Sequence, residues 1–391
     1  MRKVAVVGAS GFVGSTLVEW LLGRGFDEVI PFIHSSGNAW RLARHGIELK
    51  TLNLLDRTEV TSSLRGVTHV VNCSRGGDDV MLAGLKHLLT ASIENRVERF
   101  VHVGSVAVYG DPPPPESARE SGPALPLRGS YGWVKLQQDR MIAKASSAGL
   151  SSLILCPPNI SGTYSDYLVN LVEMMRVGKF AMLEGGSAPC NLVDVYNLAH
   201  AAELALNEGP GRGERFFVTD DENTTWRDLV GELLPLMEPD FQVPSIELHV
   251  LTRGDIAAER TPHSILRSIK HLVSSDVRQA LRKDPLWESA DTALRRGIAR
   301  MGNLTENALR RSIEGPTKIV KTPSSQPQIN AQFCRQQLRR VRHSCELAKI
   351  HLGYRPIYTF AASVEAFRRW YRDHHGMNLA VWPLLRQLYL S

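Results

Sequence analysis

The 391-residue chain has only five cysteines, Cys73, Cys156, Cys190, Cys334 and Cys345, and no two of them stand at C-x-x-C spacing. That scarcity argues against a zinc site or a disulfide framework and fits reduced thiols in a cytoplasmic protein. No window holds the roughly 18 uninterrupted apolar residues that a membrane span needs. There is no G-x-S-x-G nucleophile turn, and no basic–aromatic module of the kind that reads nucleic acid, so a nucleic-acid partner is not expected. Thirteen histidines are present. None has partners at metal-ligand spacing, His374-His375 included, and no metal is expected. Excess charge is modest as well. A net +6 agrees with an anionic cofactor or substrate but chiefly solvates a surface.

What is present is ordinary globular composition, 43% hydrophobic and 22% charged, in a chain long enough for one large domain with additions or for two. Short apolar runs at 4–7, 29–33, 48–52, 67–72 and 100–103 read as strands, several of them β-branched. Helical patterns lie between them, such as 14–22, where Leu17, Val18, Leu21 and Leu22 share a face. The N-terminal apolar run passes straight into a glycine-rich turn, which marks a buried first strand rather than a signal peptide. Alternating strands and helices imply a doubly wound parallel sheet covered on both faces.

The proline-rich stretch from Asp111 to Pro115 opens a loop reaching about Gly129, and a helix is expected over 131–145. A strand at 153–155 is stopped by Pro157 and Pro158. Further on, 197–206 reads as an apolar helix, 215–218 as a strand, and Thr225 or its predecessor as the cap of a helix starting near Trp226. This gives a Rossmann-type domain at 1–158, with 190–218 returning to it, and a smaller, mainly helical substrate-binding portion at 159–391.

Residues 250–340 differ in character. Ile265, Ile269, Leu272, Val273, Val277 and Leu281 form an apolar stripe beside Arg267, Lys270, Arg278 and Arg282, and Leu294, Ile298 and Met301 form a second. Such basic amphipathic helices pack on the body or on a twin subunit. The alternative is peripheral attachment of 260–301 to an anionic membrane surface. A Lys-, Thr-, Pro-, Ser- and Gln-rich linker follows at 317–328.

The chemistry begins at Gly8-Ala9-Ser10-Gly11-Phe12-Val13-Gly14. A glycine motif alone is weak, but this one follows a strand and opens a helix. Glycine lets a pyrophosphate approach the backbone, and unpaired N–H groups at the helix start meet its charge. Gly8, Ser10, Gly11, Phe12, Val13 and Gly14 are therefore candidate cofactor contacts. The G-x-x-G-x-x-G spacing resembles the short-chain dehydrogenase/reductase superfamily, which demands a later Tyr-x-x-x-Lys opening a helix, preceded by a Ser or Thr. The chain supplies Tyr131-Gly132-Trp133-Val134-Lys135, with Ser105 lying 26 residues before the tyrosine.

Residues four apart share a helix face, so Lys135 can lie beside the Tyr131 phenol and, with oxidised nicotinamide, lower its pKa. Tyr131 then serves as general base towards an alcohol or general acid towards a carbonyl. Lys135 is also expected on the nicotinamide ribose, and Ser105 on the reacting oxygen.

The resemblance narrows to the extended, epimerase/dehydratase-like branch. Ser105-Val106-Ala107-Val108-Tyr109-Gly110 is similar to its Ser-x-x-Val-Tyr-Gly signature, and Leu155 to Gly162 to its Arg-Pro-x-x-Ile-Tyr-Gly segment. Asn191 to Ala199 resembles its Val-x-Val-x-Asp/Asn-Leu-Ala segment, and Leu352-Gly353-Tyr354-Arg355-Pro356 its Leu-Gly-Tyr-x-Pro turn. Departures are present. Cys156 replaces the usual Arg, Ser161 the usual Tyr, and the arginine expected within 185–191 is absent. Val106 and Ala107 stand where 4,6-dehydratases carry Asp-Glu, so that activity is not expected.

The resemblance implies an NAD(P)-dependent oxidoreductase or epimerase acting by hydride exchange on a secondary alcohol or ketone, which makes a small molecule its partner. It also implies a homodimer. The alternative is a catalytically silent NAD(P)-binding sensor or scaffold. Phe32-Ile33-His34-Ser35-Ser36 carries no carboxylate for the adenine ribose, and Arg41 follows, which favours NADP(H) over NAD(H). Asn53-Leu54 resembles the branch's Asp-Leu adenine contact. Cys73, Pro158, Asn159 and Ile160 complete the candidate cofactor contacts, and Val106, Ala107 and Asn159 are candidate substrate contacts.

Overall fold

A computed structural model of the protein describes residues 2–26, 28–35, 39–251 and 329–374. Ser36, His375, the amphipathic stripes at 265–301 and the 317–328 linker lie outside them.

The chain is built on a seven-stranded parallel sheet: β1 (Lys3–Val7), β2 (Glu28–Ile33), β3 (Lys50–Thr51), β4 (His69–Asn72), β5 (Arg99–Val103), β6 (Ser152–Cys156) and β10 (Arg212–Phe217). Their order is β3-β2-β1-β4-β5-β6-β10. The inner strands are apolar along most of their length because helices cover both faces; in β1, Val4, Ala5, Val6 and Val7 are all buried. Val6 pairs with Pro31 on one side and Val71 on the other. The chain runs outward from β1 to β3, then returns to β4 on the other side of β1. That reversal opens a crevice beyond the carboxyl ends of β1 and β4.

One face of the sheet is covered by α1 (Phe12–Gly23) and α7 (Val195–Asn207), with α10 (Glu346–Leu352) beside them. Leu17, Val18 and Leu21 share a core there with Leu198, Ala202 and Leu352. The other face carries α3 (Arg57–Ser63), α4 (Leu85–Glu94) and α5 (Tyr131–Ser147). A third core gathers α6 (Asp166–Arg176), α8 (Trp226–Leu233), α9 (Ala331–Gln337) and α11 (Phe360–His374). Two small parallel pairs lie outside the main sheet: β7 (Asn159–Ser161) with β9 (Leu192–Asp194), and β8 (Met182–Leu183) with β11 (Ser245–Ile246).

Local signals decide the element ends. Thr225 and Asp228 form a reciprocal capping box on α8. Asp56 accepts from Thr58 N and Glu59 N at the start of α3. Gly353, left-handed at φ 66°, ends α10, and the buried Tyr354 that follows donates its hydroxyl to Thr219 O at 2.9 Å. Beyond the proline run the loop to Gly129 holds one short 3-10 turn, Pro115–Ala118. The expected strand at 48–52 shrinks to Lys50–Thr51, an exposed edge with little to bury. No helix among the described residues is long and apolar enough to cross a membrane.

Candidate active site

The glycine turn sits in the crevice. Gly8 is left-handed at φ 81°, and a Cβ there would lie 2.8 Å from the Ser74 backbone past β4. A Cβ on Gly14 would lie 2.2 Å from Gly8 O. The turn therefore closes tightly under α1. Gly11 caps that helix without any side-chain hydrogen bond, and no acidic residue stands in its first turn. Bare N–H groups with no competing carboxylate fit a dinucleotide pyrophosphate. Cys73 lies beside this turn, its N–H on Val7 O. Burial pushes its thiol up to about 12, against the pull of Lys135.

Ser105 follows β5 and caps the short turn Val106–Tyr109, accepting from Ala107 N at 3.1 Å. That turn packs on the first turn of α5, and only glycine permits the approach. A Cβ on Gly132 would stand 2.1 Å from Ala107 O. Ser105 is thereby brought near the Tyr131 phenol, where it favours the ionised form. Lys135 Nζ lies 5.9 Å from the centre of the Tyr131 ring and donates to Val103 O at 3.0 Å. The three residues singled out from the sequence thus share one place, with tyrosine and lysine on one side of their helix.

The electrostatics differ from the sequence expectation in one respect. Burial raises the Tyr131 phenol above its ordinary range, and the principal opposing cation is Arg75, whose guanidinium lies 5.5 Å from the ring centre. Arg75 was not legible beforehand, because it belongs to no motif and only the course of the loop from β4 towards α4 brings it over Tyr131. Burial lowers Lys135 to about 8, against the pull of Asp139 one turn further along α5. Asp139 is itself buried and accepts from Arg215 Nε at 2.7 Å. Behind the lysine, His102 is buried and held well below its usual range by burial and by Lys135. It is joined to Asn72 at 3.1 Å and to Gln138 at 3.3 Å. Asn72 in turn accepts from Ser74 Oγ at 2.7 Å, which ties the β4 loop to the site.

Other candidates are placed as follows. Pro158, Asn159 and Ile160 are half-buried where β6 passes into β7, and Val106 donates its N–H to Pro157 O. His34 and Ser35 are exposed at the end of β2. Asn53 turns its side-chain oxygen back onto Leu55 N, while Leu54 is buried with its carbonyl on His87. Arg41, the candidate for a 2′-phosphate, is engaged within the fold. Its guanidinium is buried in an ion pair with Glu19 at 2.8 Å, bonds Thr16, and stacks 4.2 Å from the centre of Tyr164. Glu19 is shared with Arg44, also at 2.8 Å, so one carboxylate faces two guanidinium groups. Ser161, in place of the usual tyrosine, joins Ser363 at 2.9 Å, and Ser363 donates to Asp194. Cys156 is fully buried against the sheet. Among the described residues no cluster of three or more His, Cys, Asp or Glu could hold a metal.

The family model of the NAD-dependent epimerase/dehydratase family matches residues 4–218. The chain belongs to that family. It is 27% identical over 244 residues to a 4-hydroxy-2-methyl-3-oxo-4-farnesyl-3,4-dihydroquinoline-1-oxide ketoreductase of Stigmatella aurantiaca, covering 59% of this chain and 72% of that protein. A decarboxylating sterol-4-alpha-carboxylate 3-dehydrogenase of Mus musculus is 25% identical over 266 residues, 62% of this chain and 72% of the relative. In fold it matches a UDP-glucose 4-epimerase from Thermotoga maritima at a TM-score of 0.62 and 16% identity, over 95% of this chain and 99% of the other. The chain is thus an enzyme of the extended, NAD(P)-dependent short-chain dehydrogenase/reductase type.

Proposed function

We propose that the protein is a nicotinamide-dependent oxidoreductase that reduces a ketone on a small, largely apolar molecule, or oxidises the matching secondary alcohol, with Tyr131 as general acid and base. The single observation that carries this reading is Tyr131 flanked by Ser105 and Lys135 beside a glycine turn shaped for pyrophosphate. The dinucleotide, once bound, supplies the hydride chemistry. Gly8, Gly11 and Gly14 with the α1 N-terminus would hold its pyrophosphate, and Lys135 its nicotinamide ribose.

The chain's own groups then handle the proton. Ser105 and Tyr131 donate hydrogen bonds to the substrate oxygen, and the Tyr131 proton passes to that oxygen as it becomes an alcohol. Lys135 as an ammonium stabilises the phenolate left behind. The Tyr131 phenol is shifted up and not down in the free site, so the resting site holds the proton that carbonyl reduction needs.

The names of the ketoreductase and sterol dehydrogenase relatives favour this over epimerisation. A UDP-glucose 4-epimerase of Vibrio cholerae, 24% identical over 263 residues, keeps the second reading in view. NADP(H) is the preferred cofactor on this account, since His34 and Ser35 present no carboxylate to repel a 2′-phosphate. The test is turnover of a panel of cyclic and β-dicarbonyl ketones with NADPH or NADH. Stoichiometric loss of the reduced-nicotinamide absorbance is expected, faster with NADPH. Interconversion of epimeric alcohols on retained cofactor, with no net loss, would replace reduction by epimerisation.

A further inference from the structure

Arg75 stands apart from the other cations near the reaction centre. Lys135 is buried with its ammonium on Val103 O at 3.0 Å, and Arg215 is paired with Asp139 at 2.7 Å. Arg75 is exposed, and its guanidinium lies 5.5 Å from the centre of the Tyr131 ring. Among the described residues it has no ion pair and no hydrogen bond, not even with the nearby Asp78 and Asp79. The backbone that carries it is held in place. Ser74 N and Ser74 Oγ both donate to Asn72 Oδ1, at 3.0 and 2.7 Å. Asn72 is buried at the end of β4 and joined to His102. The Ser74 backbone also lies so close to Gly8 that a Cβ there would stand 2.8 Å from it. Arg75 therefore starts from a fixed point between the glycine turn and Tyr131.

A guanidinium without a partner, beside a reacting group, suits an anion, and a carboxylate matches its planar fork through two parallel hydrogen bonds. The dinucleotide pyrophosphate has donors of its own in the bare N–H groups at the start of α1. The reacting oxygen must lie within hydrogen-bond reach of the Tyr131 phenol. A guanidinium 5.5 Å from that ring centre then meets substrate groups only a few bonds from the reacting carbon. Tyr131 is itself 44% exposed, so ring and guanidinium are both open to an incoming molecule.

We propose that Arg75 binds a carboxylate of the substrate, so that the enzyme selects ketones or alcohols whose carboxylate stands one or two carbons from the reacting carbon over their neutral analogues. The inference rests on the oxidoreductase reading and adds one charge to an otherwise apolar substrate. The contact also bears on the proton. Arg75 pulls the Tyr131 phenol down against the effect of burial. A carboxylate on the guanidinium cancels that pull, and Tyr131 keeps its proton until the carbonyl takes it. The same cation lowers Lys135, so its neutralisation leaves the lysine an ammonium to higher pH.

The test uses the full chain loaded with NADP+, which cannot reduce a ketone, so that calorimetry reads binding without turnover. The probes are 2-oxocyclohexanecarboxylate, its methyl ester and cyclohexanone. The acid is expected to bind about tenfold more tightly than the ester. Arg75→Gln should remove that preference while leaving the affinities for the ester and for NADP+ within about twofold, and Arg75→Lys should restore part of it. Arg75 is exposed on a loop, so both variants keep the fold. Equal binding of acid and ester by the parent, or a preference that survives in Arg75→Gln, overturns the inference. So does NADP+ bound about tenfold more weakly by Arg75→Gln, which would put the guanidinium on the cofactor's phosphates. A parallel assay with NADPH separates the two readings. Reduction of acid and ester with equal kcat/KM would keep the oxidoreductase reading and remove the carboxylate contact. An Arg75-dependent preference for the acid, with no probe reduced, would do the opposite.

Discussion

At the scale of single residues, the site depends on how charge is distributed along one face of α5. Lys135 titrates near 8, so it is an ammonium at neutral pH and loses its charge as pH rises through that value. Carbonyl reduction, which leaves a phenolate on Tyr131, should therefore slow above about pH 8. Asp139 raises the lysine pKa. Asp139→Asn is expected to move that alkaline limb to lower pH, with Asp139→Glu restoring it, in a pH profile of kcat. An unmoved limb would show Asp139 to be only an anchor for Arg215. Ser105, Tyr131 and Lys135 were singled out through the resemblance to the short-chain dehydrogenase/reductases, whose Tyr-x-x-x-Lys spacing puts two residues on one helix face. Arg75 was not. It meets Tyr131 only through a loop path, which carries no periodicity.

At the scale of elements, the contact between the 106–109 turn and α5 is the critical joint. Gly132→Ala would favour α5 by roughly 1 kcal/mol in helix propensity. It would also place a methyl group 2.1 Å from the Ala107 carbonyl. Backbone against backbone, the clash should dominate. We expect a net loss of roughly 1–3 kcal/mol in the denaturant midpoint, with turnover reduced further because Ser105 moves from Tyr131. A stabilised, fully active Gly132→Ala would refute the close packing. The long, buried strands β1, β2, β4 and β5 and the helices α1, α5 and α7 were readable from the sequence. The pairs β7–β9 and β8–β11 were not, since two or three residues are too short to establish an alternation. The π-helical turn Val80–Gly84 that leads into α4 also left no signal.

At the scale of the molecule, the C-terminal segment is fastened to the Rossmann core through buried polar groups that the sequence did not announce. The His343 ring lies tilted, 4.7 Å centre to centre from the Phe217 ring at the end of β10, and bonds Ser117 O. Its folded pKa of about 4 lies below the ordinary histidine value of 6.5. The unfolded chain therefore binds the proton first, and stability is lost as pH falls from about 6.5 towards 4. The loss is roughly 3 kcal/mol at most. Thermal melts should show a smaller fall over that window in His343→Gln than in the parent. Equal falls would mean that other groups govern the acid response.

The glycine turn was legible because its spacing is a backbone requirement. That Glu19 lies within 2.8 Å of Arg41 is a contact a sequence does not show. The most direct test of the account is Tyr131→Phe, assayed for turnover and, separately, for NADP(H) affinity. Turnover should fall by at least about a hundredfold, with the dissociation constant unchanged within about twofold. Turnover that survives with the phenol hydroxyl gone would contradict the assignment of Tyr131 as the proton donor and acceptor.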